Sequence, residues 1–187
     1  MVCVMVALET ERLFLRPLEL ADAEDTERLF PHWEIVKYLN AQVPWPYPAG
    51  QVLPRYRDLV LPAMEPGEEW HWTLRLKESP EHLIGKISLH QSEENNRGYW
   101  LSVPWHGRGL MTEAVVAVND YWFDVLGFSV LRAPKAVANA ASRRISEKTG
   151  MRVIATMEGD FVCGRLLAEL WEITAEEWRS WKMRTRI

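Results

Sequence analysis

The sequence predicts an α+β fold with a mixed, mostly antiparallel sheet. Two observations lead to this prediction. Between about residues 70 and 103, short segments of alternating polar and apolar residues follow one another with only turns between them, as antiparallel strands do. From residue 111 onwards, segments with helical spacing alternate with strand-like segments. The length of 187 residues is that of a single domain spanning residues 1–187.

The first part of the chain predicts one strand and two helices around an irregular segment. Glu11–Pro17 alternates charged and apolar residues and is predicted as a half-buried strand. Asp22–Phe30 is predicted as a short acidic helix. His32–Pro48 is aromatic, and prolines at 44, 46 and 48 exclude a central strand or helix interior, so a loop over one face is expected. A helix resumes near Gln51–Met64, with Pro54 in its first turn.

The middle of the chain predicts three strands. Trp70–Leu76 and Leu83–His90 alternate like paired strands, and residues 79–82 are expected to connect them. Tyr99–Val103 is the third strand, and Pro104 ends it.

The last part predicts alternating helices and strands. From Met111 the apolar residues recur at the i, i+3, i+4 and i+7 spacing of a helix with one buried face, and Gly127 is a suitable residue to end it. The elements after it are predicted as a strand, a helix, two strands and a terminal helix, at Val130–Val137, Asn139–Thr149, Arg152–Thr156, Leu166–Thr174 and after the capping box of Thr174 and Glu177.

Composition limits the classes of function. The ten tryptophans predict a large aromatic core, an apolar cleft, or both. The net charge of −4 argues against a nucleic-acid partner and favours a cationic one. No stretch approaches the roughly 20 apolar residues of a membrane span, so no membrane association is expected.

The cysteines and the start of the chain predict a cytoplasmic protein. Cys3 and Cys163 are far apart, and no Cys/His spacing matches a metal site, so a reduced setting and no metal are expected. Met1–Leu8 is apolar but short and lacks a basic n-region. It is therefore expected to fray or form a strand, and not to act as a signal peptide.

The most informative motif is the glycine loop, residues 106–111 (HGRGLM), between a predicted strand and a predicted helix. Gly107 and Gly109 leave the backbone open for a phosphate, and the following helix offers unpaired N–H groups. The loop lacks the lysine and Ser/Thr of a P-loop, and the third glycine and acidic partner of a dinucleotide fingerprint. On its own it is equally consistent with a tight β-to-α turn.

The order of motifs around the loop resembles the GNAT N-acetyltransferase superfamily. It is most similar to the RimJ/RimL-like branch, which acetylates protein N-termini and various small amines. The resemblance runs from Glu9 to about Trp178. The matching motifs are the opening ERLFLRP at 11–17, the Gly85 strand, Tyr99-Trp100-Leu101, the glycine loop, Asn139-x-x-Ser142 and EKTGM at 147–151.

The resemblance implies a twisted sheet of about seven strands flanked by helices, with splayed central strands that form a CoA cleft. It implies an acetyl-CoA-dependent N-acetyltransferase that transfers acetyl to a protein N-terminus or a small-molecule amine, directly within a ternary complex. No covalent acyl-enzyme is needed, and Cys163 lies outside the motifs. Trp178 and Trp181 look exposed, which predicts either a packed C-terminus or an interface such as that of a homodimer.

The resemblance also implies which residues bind acetyl-CoA. Backbone N–H groups of the glycine loop would hold the pyrophosphate, with a hydroxyl from Thr112. The strand edge at 101–103 would pair with the pantetheine amides and polarise the thioester carbonyl. The implied cofactor-binding residues are Leu101, Ser102, Val103, His106, Gly107, Arg108, Gly109, Leu110, Met111, Thr112, Asn139 and Ser142.

Some of these positions keep an alternative or depart from the family. The family usually has Gln or Arg at His106 and Gly or Ala at Met111, but a site made by backbone groups tolerates both changes. Asn139 and Ser142 have N-capping as an alternative role.

The catalytic groups are less readable. Ser146 stands where many family members place a tyrosine that protonates the leaving thiolate, so Ser146 is the implied catalytic residue; an ordinary helix hydroxyl is the alternative. The branch often carries a base, Glu, just before the Tyr-Trp strand, where this chain has Arg97 and Gly98. The remaining candidate bases, each expected at the surface, are Glu69, His71, His90 and Glu158. For Glu113, a favourable charge at a helix N-terminus is the preferred interpretation.

The acceptor side is predicted from the aromatic segment. Aromatic faces with nearby carboxylates suit an ammonium-bearing acceptor. The implied substrate-binding residues are Trp33, Glu34, Trp45 and His71, with core packing as the alternative for the aromatic ones.

Two rival functions stay open. The missing Glu and the missing Tyr are also consistent with a non-catalytic acyl-CoA-binding or sensing domain. The glycine loop is also consistent with a nucleotide-binding protein of another kind.

Overall fold

A computed structural model describes residues 5–185 of the chain. Its strands form two antiparallel sheets, one of order β1-β2-β3-β4-β5 and one of order β6-β8-β7. The strands of the described residues are β1 (Leu8–Glu9), β2 (Leu13–Pro17), β3 (Glu69–Leu76), β4 (Ser79–His90), β5 (Arg97–Leu101), β6 (Val130–Ala136), β7 (Arg152–Phe161) and β8 (Gly164–Thr174).

Helices cover both faces of the larger sheet. They are α1 (Ala23–Leu29), α2 (Trp33–Val36), α3 (Val52–Arg55), α4 (Leu61–Met64), α5 (Leu110–Asp120), α6 (Ala140–Lys148) and α7 (Ala175–Thr185). A π-helical turn at Tyr56–Val60 joins α3 to α4, so the helix predicted over 51–64 is continuous over 52–64. A second π-helical turn, Tyr121–Val125, extends α5 up to the predicted stop at Gly127, whose φ is +74°.

The two sheets meet at a seam between β5 and β6. At one end, the N–H of Asn96 donates to the carbonyl of Arg132 over 2.8 Å, and the Arg132 N–H donates to Asn96 Oδ1 over 2.7 Å. Farther along, the Lys135 ammonium lies 5.3 Å from the Tyr99 ring centre, so the residue numbers of the two strands rise together and the strands run parallel. Beyond Asn96 no backbone ladder joins them in the part of the chain that is described. The prediction of a mixed fold with splayed central strands is confirmed.

The main core lies between the larger sheet and α5. Alternate residues of β3 point into it, with Trp72 and Leu74 fully buried against Val115 and Val118 of α5. Trp122 stacks on Phe128 with ring centres 4.0 Å apart. The opposite face of the sheet carries a smaller apolar cluster on α1 and the 52–64 helical segment. Most tryptophans are buried, as the aromatic-core prediction requires.

Three boundary predictions were wrong. Residues 79–82 belong to β4 and do not connect it to β3, because the buried Arg75 guanidinium donates to the carbonyls of Pro80 (3.2 Å) and Glu81 (2.8 Å) and ties them to the sheet. β5 ends at Leu101, since residues 103–105 form a 3₁₀ turn. β7 continues to Phe161 because it pairs with β8 along its whole length.

The C-terminal tryptophans are buried, so the expectation that they are exposed was wrong. Trp178 is fully buried, and its ring stacks on Trp181 at 4.7 Å. The packed C-terminus is therefore the alternative that holds, while a homodimer stays a prediction. The capping box is confirmed, since Thr174 Oγ1 accepts from the Glu177 N–H (3.2 Å) and Glu177 accepts from the Thr174 N–H (2.8 Å).

The predicted strand-forming start is present at Leu8–Glu9, which pairs with β2. The prediction for residues 1–4, including Cys3, lies outside the described residues. Within residues 5–185, no helix combines the length and apolarity that crossing a membrane requires.

Candidate functional site

The glycine loop is an open turn that leads into α5. Gly107 and Gly109 adopt left-handed φ values of +75° and +79°, which is the reason for glycine at both positions. Gly109 is the N-cap of α5, and no side chain caps the helix. The N–H groups of its first turn, from Leu110 to Thr112, therefore have no partner within the helix. A Cβ added at Gly107 would meet nothing within 4 Å, so the turn faces open space.

A clamp behind the loop fixes its shape. The Glu113 carboxylate accepts a hydrogen bond from the Thr10 hydroxyl. It also accepts two from Arg12, one from the backbone N–H and one from the side-chain Nε–H, each over 2.8 Å. Arg12 also donates to the carbonyl of Arg108 (3.1 Å). Burial raises the pKa of Glu113, but these hydrogen bonds outweigh burial and hold the pKa below its usual range. Glu113 is thus an anionic brace, as its preferred interpretation requires.

Two cations line the loop. The Arg12 guanidinium lies 3.6 Å from the position that a Cβ at Gly109 would occupy. No local sequence pattern predicts that Arg12 pairs with Glu113. The Arg108 guanidinium lies 4.8 Å from the Trp105 ring centre. An anion at the loop would therefore meet positive charge as well as helix N–H groups.

One edge of β5 is open toward the seam. The Ser102 N–H donates to the Ile84 carbonyl of β4 (2.8 Å), and the Ser102 carbonyl accepts from the Trp105 N–H (3.0 Å). The backbone of Ser102 is thus already paired, and the expected contact of Ser102 with pantetheine stays a prediction. Because antiparallel pairing alternates along a strand, the N–H groups of Tyr99 and Leu101 point away from β4, into the seam. His106 Nε2 lies 2.7 Å from the Leu101 carbonyl, where its N–H can donate.

The start of α6 faces the same seam. Asn139 Oδ1 accepts from the Ser142 N–H (3.2 Å), so Asn139 is an N-cap, which was its alternative interpretation. The Ser142 hydroxyl is bonded to Tyr99 OH (2.8 Å) and to Lys135 Nζ (3.0 Å). Ser142 therefore joins β5, β6 and α6, and Asn139 contact with a pantetheine arm stays a prediction.

Buried positive charge surrounds Tyr99. Lys135 and Arg97 are both almost fully buried, and burial lowers the pKa of each. Burial alone would raise the pKa of the Tyr99 phenol, but the charges of Lys135 and Arg97 outweigh it and lower that pKa. Arg97 donates to Asn119 Oδ1 of α5 over 2.6 Å. Where the branch often has an acid, this chain thus has a buried cation, whose hydrogen bonds within residues 5–185 go to an amide oxygen and a methionine sulfur.

Ser146 lies on the inner face of α6. Its side chain is fully buried, and its hydroxyl has no partner among the described residues. Because this side chain has no exposed surface, a thiolate in the seam could not contact the Ser146 hydroxyl. Proton transfer by Ser146 stays a prediction.

Three of the four candidate bases come together on the other face of the larger sheet. Glu69 lies 2.6 Å from His71 Nε2 and 3.3 Å from His90 Nδ1, and His90 Nε2 lies 2.9 Å from Ser88 Oγ. We call Glu69, His71 and His90 the Glu–His–His cluster. The fourth candidate, Glu158, lies apart and pairs with Arg165 (2.8 Å) on an exposed hairpin.

The members of this cluster differ in burial and charge. His71 is 3% exposed, so the expectation of a surface position was wrong for it, and its contact with an acceptor stays a prediction. Burial lowers the pKa of His71 to about 3 and keeps it neutral, while hydrogen bonds from His71 and His90 hold the Glu69 pKa far below its usual range. The ligand atoms of the three residues lie within 4.8 Å of one another, so this is the group in the described chain that could hold a metal ion.

The aromatic segment lies on the same side as the Glu–His–His cluster. Phe30 packs on Tyr47 of this segment and on Trp100, with ring centres 5.4 and 5.5 Å apart. Trp100 shares a strand face with Gly98, which lies against Ser88 and His90. Trp33 and Trp45 form an exposed pair with ring centres 5.3 Å apart.

A short ladder to the β7–β8 hairpin supports this segment. The N–H groups of Val162 and Cys163 donate to Leu39 (2.9 Å) and Lys37 (3.0 Å). Lys37 in turn pairs with Glu34 at 2.6 Å, and that hydrogen bond lowers the pKa of Glu34. Cys163 is exposed at the hairpin turn, outside the loop and the seam, as expected.

The sequence and the fold of this chain are similar to those of known proteins. The sequence model of the acetyltransferase (GNAT) domain matches residues 12–152. The chain belongs to the GNAT acetyltransferase family. A relative from Bacillus subtilis (strain 168), the probable N-acetyltransferase YjcK, is 29% identical over 160 residues, covering 76% of this chain and 82% of the relative.

Solved structures show the same fold. Mycobacterium smegmatis RimJ in complex with CoA-disulfide superposes with a TM-score of 0.80 at 17% identity, covering 96% of this chain and 93% of that one. Spermidine N-acetyltransferase from Vibrio cholerae, in complex with CoA and spermine, gives a TM-score of 0.74 at 18% identity, covering 89% and 98%. The predicted GNAT fold, the RimJ/RimL-like resemblance and the assignment to the acyltransferases are confirmed.

Proposed function

We propose that this GNAT protein is an acetyl-CoA-dependent N-acetyltransferase that acts on primary amines by direct transfer within a ternary complex. The observation that carries the proposal is the glycine loop opening α5 next to the free edge of β5. Acetyl-CoA has a diphosphate at one end and an amide-containing arm that leads to the thioester. Helix N–H groups suit the diphosphate, and an open strand edge suits the amides.

The residues present fit this donor. The first turn of α5 and the cations Arg12 and Arg108 would hold the diphosphate. The edge at Leu101, the last residue of β5, and Val103 just after the strand would pair with the arm, and an N–H of that edge would polarise the thioester carbonyl. Acetyl-CoA supplies the activated acetyl group, and the chain supplies its position and the proton transfers.

The seam separates a donor side from an acceptor side. Successive residues of a strand point to opposite faces, so Tyr99 faces α6 while Gly98 and Trp100 face the aromatic segment. A carbonyl held at the edge of β5 would have CoA on the α5–α6 side. The attacking amine would approach from the side of the Glu–His–His cluster.

His90 is the proposed base. A Cβ at Gly98 would lie 3.8 Å from His90 Nε2, so this nitrogen overlies β5 next to Tyr99. The Glu69 carboxylate lies 3.3 Å from His90 Nδ1, which orients the ring. His90 would take the proton of the acceptor ammonium, directly or through one water. Ser146 is left out of this scheme because its side chain has no exposed surface and its hydroxyl has no hydrogen-bond partner among the described residues that could relay a proton.

The exposed aromatic pair favours an ammonium-bearing acceptor, either a peptide N-terminus or a small amine. Trp33 and Trp45 are about 40% exposed, unlike the core tryptophans, and the Glu34 carboxylate is adjacent in sequence. Aromatic faces and a carboxylate attract cations. We expect Trp33→Ala and Trp45→Ala to raise KM for the acceptor more than they lower kcat. Leu59→Ala, at a residue that is 59% exposed, is the matched control.

A thiol-release assay tests the proposed function. The chain is incubated with acetyl-CoA and representatives of each amine class: N-terminal peptides, polyamines and aminoglycosides. We expect thiol release with at least one class and a product heavier by one acetyl group in mass spectrometry. Binding of acetyl-CoA without release across all classes would favour the acyl-CoA-binding alternative. Thermal stabilisation by ATP but not by CoA would contradict the donor assignment.

A further inference from the structure

Lys135 is a buried ammonium that no carboxylate neutralises in the described chain. It is 6% exposed, and its hydrogen bonds go to Ser142 Oγ (3.0 Å) and Tyr99 OH (3.4 Å). Glu169, directly opposite on β8, is bonded instead to Arg143 (2.8 Å) and to an indole N–H. The other charge facing Lys135 is the cation Arg97, which lies across the Tyr99 ring and makes its environment more positive still.

Such a group is costly for folding. An ammonium removed from water without a counterion loses most of its favourable hydration, and two hydroxyls restore only part of it. Buried titratable groups without a counterion are candidates for function. Lys135 has no negative partner within the described chain. In the proposed reaction, the departing CoA thiolate would develop a negative charge in the seam that Lys135 faces.

The position along the strand agrees with this. The diphosphate would lie at the glycine loop, so the arm would run from Val103, which follows β5, back along the strand from Leu101 toward Tyr99, at about 3.3 Å per residue. The thioester is the end of the arm remote from the diphosphate. Its sulfur would therefore enter the seam near Tyr99, on the side that Lys135 and Ser142 close.

We propose that Lys135, held by Ser142 and Tyr99, is the catalytic acid that protonates the departing CoA thiolate. This inference rests on the proposed function. The acceptor nitrogen bonds to the carbonyl carbon, the carbon–sulfur bond breaks, and its electron pair goes to sulfur. A proton from Lys135 Nζ passes to that sulfur. Lys135 then regains a proton from solvent, which receives the proton that the acceptor amine lost through the base.

The proton affinities support this step. Burial lowers the pKa of Lys135, which makes its ammonium a stronger acid toward the departing thiolate. The Tyr99 hydroxyl lies within hydrogen-bond reach of Lys135 and can relay the proton.

Lys135→Met is the test variant, and Lys148→Met, an exposed lysine on α6, is the matched control. For Lys135→Met we expect kcat to fall roughly 100-fold or more, the range of general acid catalysis, with KM for acetyl-CoA nearly unchanged. Independently of turnover, ultraviolet absorbance gives the thiolate fraction of bound CoA as a function of pH. We expect the bound thiol to titrate at lower pH in wild type than in Lys135→Met, by about one pH unit or more. Lys148→Met should match wild type in both.

The outcomes separate the two levels of the proposal. If wild type acetylates no amine but the variant shifts the titration of bound CoA, the proposed function fails and the position of Lys135 beside the sulfur stands. If wild type is active and the variant changes neither kcat nor that titration, the role of Lys135 is refuted. If Lys135→Met does not fold, Ser142→Ala replaces it, and a smaller shift of both quantities is expected. No shift in Ser142→Ala would refute the proposal equally.

Discussion

Replacing Gly107 by alanine separates the conformational role of the glycine loop from its role in binding. Gly107 and Gly127 have nearly the same left-handed φ, +75° and +74°, and a Cβ at either would meet nothing within 4 Å. The backbone strain of alanine should therefore be the same at both, about 1–2 kcal/mol. Gly127 lies beyond the far end of α5, so Gly127→Ala is a matched control.

The magnitudes follow from this geometry. At about 2–4 °C per kcal/mol for a chain of this length, each variant should lose roughly 2–8 °C in melting temperature without ligand. Only the Cβ at position 107 would stand where a diphosphate meets the backbone N–H groups. Losing one hydrogen bond to a charged acceptor costs about 1.5–3 kcal/mol, which is roughly a 10- to 150-fold increase in Kd for CoA.

Isothermal titration with CoA measures the difference, and thermal unfolding of both variants measures the strain. We expect a weaker Kd for Gly107→Ala and a Kd close to wild type for Gly127→Ala. Equal CoA affinity in the two variants, with equal losses of stability, would refute the assignment of the loop to the diphosphate.

The remaining predictions concern stability. Glu113→Gln should lose about 1–3 kcal/mol at pH 7 by removing the clamp on Arg12. Because the folded pKa of Glu113 is lowered, this difference in stability should vanish as the pH falls from 4.5 through the folded pKa. Melting curves at pH 7 and pH 3 measure it, and a constant difference would contradict the clamp. His71 stays neutral in the folded state down to about pH 3, while His71 of the unfolded chain takes up a proton near pH 6.5. The free energy of unfolding should therefore fall as the pH drops below 6.5, by up to about 1.4 kcal/mol per pH unit. Urea unfolding at pH 7.5 and 5.5 measures this pH dependence of stability. His71→Gln should remove it, and the control His82→Gln, at an exposed residue, should keep it. An unchanged pH dependence in His71→Gln would argue against the buried neutral ring. Trp178→Ala should cost about 3–5 kcal/mol in urea unfolding because the ring is fully buried, and a loss under 1 kcal/mol would contradict the packing of α7.

Local patterns predicted the elements that bury one face. The alternation in Glu11–Pro17 and Trp70–Leu76 is present because each strand sends every second side chain into the core. The glycine loop was recognisable because its two left-handed positions demand glycine. The extent of β7 was not predictable from its pattern, since it is an edge strand whose side chains are mostly exposed.

The charged parts of the site depend on contacts between distant segments. Lys135 follows Pro134 in a strand and looks like a solvent-facing residue, but the opening of the seam turns it toward Tyr99 and Ser142. The Glu–His–His cluster depends on the register that places Glu69 opposite His90. Neither arrangement has a signal within one segment, so sequence reasoning could name the candidate bases but could not bring them together.

The most direct test of the account is a crystal structure with acetyl-CoA bound. The account predicts the diphosphate on the backbone N–H groups of residues 107–112, the arm along the free edge of β5, and the thioester sulfur beside Lys135. An acetyl-CoA molecule bound outside the seam between β5 and β6, or a diphosphate away from the glycine loop, would contradict it.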